Sequence, residues 1–206
     1  MHTKNKRWLI NLLTGLILMI AFSGLTLASE FSADVIMTGG PMAGNGKIWV
    51  KGQKMRQEIG EQEEKRIVIM DLDQGFLCRI LQGGVYIKNE IESNGKGFRP
   101  DNFLWLQQGL SEAQVKIVGK ETVNGYQCDK YLITFKNKEM GTMTQWVAIK
   151  LDYPIKTVNK NDALGEVITE LQNIKKGDVK DDLFLLPTGY TELEQSQVLE
   201  MVNENQ

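Results

Sequence analysis

The only histidine of this 206-residue chain is His2, and it falls inside an N-terminal stretch that reads as an export signal. A mature chain without histidine has no Ser-His-Asp or Cys-His catalytic unit and no His-ligated zinc. Two cysteines, Cys78 and Cys128, are too few for a Cys-rich metal site. The run Asp71-Leu72-Asp73-Gln74-Gly75 has the alternating carboxylates of a calcium loop, but it lacks a third ligand, its glycine comes early and no glutamate closes it. A hairpin turn is the expectation there. The carboxylate pairs Glu63/Glu64 and Asp181/Asp182 sit in polar, turn-like sequence, where they are solvated rather than tuned for acid–base work. No Gly-rich phosphate loop follows a strand, and nothing matches a nucleophile elbow. The reading is therefore a non-enzymatic protein with no metal and no cofactor.

The export signal is ordered as such signals are: Lys4, Lys6 and Arg7, then the uncharged stretch Trp8 to Leu27, then Thr26, Ala28 and Ser29 around a cleavage point. Residues 1–28 are predicted as a signal peptide, with an uncleaved anchor as the alternative because the apolar run approaches the ~20 residues that span a bilayer. No cysteine sits at the junction to carry a lipid. The expected location is the periplasm or the outer face of the cytoplasmic membrane. Cleavage takes the formal charge from −2 to −5, which argues against nucleic acid as a partner. In an oxidising compartment Cys78 and Cys128 either pair as a disulfide or stay as two buried thiols.

Residues 29–206 read as one mostly β domain of α+β class. Short segments alternating apolar and polar residues are punctuated by Gly, Asn and Asp, the pattern of an antiparallel sheet with one buried face. Strands are expected at 31–37, 46–50, 55–59, 67–70, 76–81, 85–89, 115–118, 126–135, 142–151, 155–158, 166–174 and 183–186. Asp101 opens a short helix carrying Phe103, Leu106 and Leu110, and Thr191-Glu192-Leu193-Glu194 reads as a capping box for a terminal helix. The architecture expected is a large curved antiparallel sheet, an open half-barrel covered by two or three short helices.

Aromatic and methionine side chains on or beside these strands are mostly core, but some can line a cavity between sheet and helices, and methionine adapts to irregular ligands. Trp49, Met55, Trp105, Leu106, Trp146 and Ile149 are the candidate cavity residues.

The segment Gly46-Lys47-Ile48-Trp49-Val50-Lys51-Gly52-Gln53-Lys54-Met55-Arg56, followed by Asp71, Gly75, Leu81 and Tyr86, resembles the N-terminal half of the LolA-like superfamily of lipoprotein carriers and outer-membrane lipoprotein-sorting proteins. Gly119 to Tyr131, Trp146 to Lys156 and Leu183 to Tyr190 resemble its second half, closer to the sorting-protein branch. The proline usual in true carriers is missing between Lys51 and Arg56. The resemblance implies an apolar half-barrel cavity for the acyl chains of lipids or lipoproteins, a membrane-bound release or receptor partner, and association with a membrane surface. It also implies that Arg56 helps to hold a lid. An envelope sensor or protein-interaction module on the same fold is the alternative.

Overall fold

The computed structural model describes residues 29–40, 43–61, 65–91, 97–98, 113–163, 165–194 and 197. The strands are β1 (Glu30–Thr38), β2 (Gly44–Lys51), β3 (Lys54–Ile59), β4 (Arg66–Asp71), β5 (Phe76–Leu81), β6 (Val85–Glu90), β7 (Ala113–Val123), β8 (Tyr126–Phe135), β9 (Thr142–Ala148), β10 (Tyr153–Asn161), β11 (Gly165–Lys176) and β12 (Thr191–Glu192). They form one open sheet in the order β12-β6-β5-β4-β3-β2-β1-β11-β10-β9-β8-β7. Two meanders, β1 to β6 and β7 to β11, are thus joined by the antiparallel pairing of β1 with β11. The sheet is mixed because the short β12 runs parallel to β6.

Local chemistry explains the hairpins. Gly52 (φ 60°) permits the two-residue link between β2 and β3. Asn124 (φ 48°) and Gly125 (φ 80°) turn β7 into β8, the pairing of residue types that a type I′ turn favours. At the β4–β5 link the buried Asp71 carboxylate accepts from the backbone N–H groups of Asp73 and Gln74 at 3.0 and 2.9 Å. That carboxylate caps its own turn, as the hairpin reading of Asp71 to Gly75 requires.

Cross-strand register sorts side chains onto two faces. One row runs Tyr131, Gln145, Thr157, Thr169, Met37. A second runs Leu171, Val35, Gly46, Ile59, Arg66 on the same face. The other face carries Ser32, Trp49, Arg56, Ile69 and Cys78 in one row, and Lys130, Trp146, Lys156 and Glu170 in another. Both faces bury apolar residues: Phe31, Val35, Ile48, Val50 and Ile155 belong to the main core, whereas Ile69, Phe76 and Cys78 form a separate cluster against Leu186.

The expected helices are where the architecture differs most. Among the described residues, helical structure amounts to two short 3-10 segments, Lys138–Met140 and Asp181–Phe184, together with Gln197. The helix predicted after Asp101 lies outside the described residues, as does the rest of the predicted terminal helix beyond Gln197. Thr191 and Glu192 are strand, not a helix start, because they find the free edge of β6 at Val85 and Tyr86. A reciprocal cap forms three residues later, where the Glu194 N–H donates to the Gln197 side chain at 2.8 Å and the Gln197 N–H to the Glu194 carbonyl at 3.0 Å. The predicted strand at 183–186 is not formed: Leu183 and Phe184 end a 3-10 turn, and β9 stops at Ala148 because residues 149–152 form a turn in which Asp152, with a φ of 49°, is left-handed.

Candidate functional site

Seven adjacent strands contribute to one apolar hollow. Met70 (β4), Met55 (β3), Ile48 (β2), Met37 (β1), Leu171 (β11) and Gln145 (β9) all line it, with Thr157 and Tyr153 from β10 and with Phe98. A flat sheet would put β4 and β9 roughly 29 Å apart. Their meeting around a cavity of about 230 Å³ therefore requires the sheet to curl into a trough, with the register rows just described on its concave side. Phe98 and Phe31 hold Tyr153 at ring-centroid distances of 5.2 and 5.3 Å, and burial pushes the Tyr153 phenol far above its ordinary value. Burial thus favours the neutral form of the Tyr153 phenol in this wall.

A second hollow of about 340 Å³ adjoins the first and shares Met37 and Gln57 with it. Ile59, Val68 and Leu81 supply its apolar wall, and Arg66 and Arg79, both exposed residues, also line it. Together the hollows make a trough in the size range of small-molecule sites, ~300–1,000 Å³. Methionine recurs along it, at Met37, Met55 and Met70, so the wall can adjust to a ligand of uneven shape.

Of the residues predicted to line a cavity, the structure puts Met55 in the trough. Trp49 lies on the other face, in a polar hollow with Asp34, Lys47 and Lys175. Trp146 is also on that outer face, where its indole N–H donates to Glu121 at 2.8 Å and Lys130 and Lys156 stack on its ring at 4.7 and 5.5 Å. That hydrogen bond, followed by the one from Lys130, holds the Glu121 carboxyl below its usual range. Ile149 sits 46% exposed in the β9–β10 turn. Trp105 and Leu106 lie outside the described residues. Cys78 and Cys128 are free, buried thiols, one on β5 and one on β8, at opposite ends of the sheet order.

Arg56 holds down a segment, but on the outer face. It donates through Nη1 to the Leu183 carbonyl at 3.1 Å and through Nε to Glu58 at 2.8 Å. Lys51 adds a 3.1 Å bond to the Val179 carbonyl and a 3.0 Å ion pair with Asp181. The strap so fastened carries Leu186 onto Ile69, Phe76 and Cys78 before β12 joins β6.

The trough residues that the sequence did not single out are Met37, Gln57, Met70, Tyr153, Leu171 and the two arginines. A partial signal existed: Ile67-Val68-Ile69-Met70 is apolar on both faces, and both are indeed covered, Met70 and Val68 within the main core and Ile69 in the cluster under Leu186.

A sequence-family model for a domain of unknown function, DUF4412, matches residues 35–152 and 142–190. The chain belongs to the DUF4412 family. No curated protein matches the sequence. Among solved structures, the DUF4412 chain is similar to a conserved, uncharacterized protein of Thermus thermophilus, at 9% identity and TM-score 0.53 over 82% of this chain and 91% of that one. It is similar also to PNGF-II, at 14% identity and TM-score 0.57, covering 86% of this chain but only 34% of PNGF-II. At such identities the likeness is one of fold. A LolA superfamily protein of Nitrosomonas europaea aligns more loosely, at 11% identity and TM-score 0.39 over 77% of this chain and 91% of that chain, a fit too weak to carry an inference. Of the predicted LolA-like membership, what is shown is membership of DUF4412.

Proposed function

We propose that this DUF4412 protein is an exported, non-enzymatic binding protein that shelters an acyl chain of a lipid or lipoprotein in the trough on the concave face of its sheet. The observation that carries the reading is the pair of adjoining hollows walled by Met37, Met55, Met70, Ile59 and Leu171. An apolar trough that size, left open to water, is stabilised by an apolar occupant. The N-terminal export signal supports an envelope or extracellular setting, in which a membrane-bound protein would deliver or receive the ligand.

A second reading rests on a different place. Among the described residues β7 is an edge of the sheet, and it exposes Ile117 and Val118 to 60% and 51%. Such an edge can take a strand from another protein, which is the interaction-module alternative.

Native mass spectrometry of the protein purified from an exporting host, followed by solvent extraction, tests the first reading. Discrete adducts that extract as acyl lipids are expected. An adduct-free mass, unchanged after incubation with lipid vesicles, overturns it and leaves the edge-strand reading.

A further inference from the structure

The outer face of the sheet has a hollow of its own. It measures about 410 Å³, and three neighbouring strands line it: Ser32 and Asp34 from β1, Lys47 and Trp49 from β2, Asn173 and Lys175 from β11. Register lays these side chains out as a grid. Lys175, Ser32 and Trp49 form one cross-strand row, and Asp34 pairs with Lys47 in the next. The short Ser32 side chain, set between the longer Lys175 and Trp49, leaves the dip. Asn173 joins the grid by a departure from regular pairing. Gln172 is the partner of Asp34, so plain alternation would send Asn173 to the concave face. Instead Asn173 and Ile174 stand together opposite Ala33, as a bulge, and Asn173 takes a left-handed φ of 50°. The bulge aims Asn173 at the hollow, where its Nδ2 donates to Asp34 Oδ2 at 2.8 Å.

Donors and acceptors are thus mixed around one indole. The Asp34 carboxylate only accepts, the Lys47 and Lys175 ammonium groups only donate, and the Ser32 hydroxyl does both. Asn173 engages one carboxylate oxygen and fixes the direction of the group. Among the described residues, neither Lys47 nor Lys175 makes an ion pair. An anion in this hollow meets the charge of Asp34, and a plain acyl chain leaves the polar groups without partners. A sugar ring satisfies both halves, since its hydroxyls donate to the carboxylate and accept from the ammonium groups while its C–H groups pack on the indole. We propose that this outer hollow is a saccharide site that takes a neutral hexopyranose unit of a glycan chain. The trough opens on the opposite face, so the site is separate from it and does not rest on the acyl-binding reading.

Titration calorimetry of the full chain at pH 7 with cellotetraose, maltotetraose and tetra-N-acetylchitotetraose tests the site, because the three differ in linkage and substituents but share the neutral hexopyranose ring. At least one should bind with one-to-one stoichiometry and a Kd on the order of 1 mM or tighter. Asp34→Asn keeps the shape of the side chain and an oxygen for Asn173, and it removes the charge that strengthens the hydroxyl contacts. It should weaken that ligand about tenfold with an unchanged unfolding midpoint. Trp49→Ala should weaken it about tenfold or more through loss of the indole surface. Trp49 is half-buried, so this variant is read beside Asp34→Asn, which does not depend on packing. Absence of binding by all three oligosaccharides to wild type overturns the saccharide site. Binding that survives undiminished in both variants overturns it as well, because the ligand then sits elsewhere on the protein.

Discussion

Arg56 on β3 donates a 3.1 Å hydrogen bond to the backbone carbonyl of Leu183, joining the first meander to a segment that follows the last long strand. The same guanidinium is held by Glu58, which Lys65 also contacts at 3.0 Å. Arg56→Ala should therefore loosen the strap over Ile69 and Cys78. A loss of about 1–3 kcal/mol is expected in urea unfolding, the scale of hydrogen bonds to a charged group. Limited proteolysis should cut first between Val179 and Leu186. Protection of that segment equal to wild type would show that the apolar contact of Leu186 alone holds it.

Acid should act on the same cluster. Burial raises the Glu58 pKa, but its bonds to Lys65 and Arg56 and their charges outweigh that and leave it below the ordinary 4.5. A carboxyl depressed in the folded state contributes stability above its unfolded value, and the contribution is lost as pH falls through the folded one. Urea midpoints should thus drop on acidification below about pH 4.5, and Glu58→Gln should flatten that drop. An identical acid limb in the variant would assign the sensitivity to other groups, Glu170 among them, whose pKa the Asn124 hydrogen bond lowers.

Alkali should act through a thiol. Burial pushes Cys78 from the ordinary value of 9.0 up to about 11. The neutral thiol is the form the fold accepts, so its contribution is complete below pH 9 and is lost as pH rises toward 11. Thiol reagents at pH 8 should leave both cysteines unmodified until denaturant unfolds the chain. Rapid labelling of native protein would contradict the burial of Cys78 and Cys128.

Trp146 separates core from cavity. It is 8% exposed and lies on the face away from the trough. Trp146→Ala should cost roughly 3–5 kcal/mol, as loss of a buried aromatic does. Acyl-ligand affinity per folded molecule should stay unchanged. Selective loss of ligand with little unfolding would place the binding site on the outer face.

Alternation and turn residues made the strands readable. Ile48 and Val50, then Tyr131, Ile133 and Phe135, announce their buried faces by period two, and Gly52, Gly75 and Asn124-Gly125 announce the links. Which face would become concave was not readable. Curvature depends on the pairing of β1 with β11 and on the bulges at Ser32/Asp34 and Pro154/Lys156, all long-range facts. Trp49 and Trp146 therefore looked like equals of Met55 in sequence and ended on the other side of the sheet. Composition also favours tryptophan as a ligand wall, yet here the ring of Trp146 serves two lysines and Glu121. Arg66 and Arg79 escaped notice because a lone arginine on a strand has no local signature; only register puts the two at one hollow. The pattern at Thr191 to Glu194 misled for a related reason, since a local helix start competes with an unpaired strand edge elsewhere in the chain.

The joining of the meanders through β1 and β11 also orders events in time. A ribosome or export channel releases β1 to β6 first, and this half must wait with one flank of β1 and one flank of β6 unpaired until β11 and β12 arrive. Distant pairings of that kind slow folding and leave strand edges available for wrong partners in the interval. Vectorial emergence thus makes the last pieces of chain, not the first, the ones that render the early half safe.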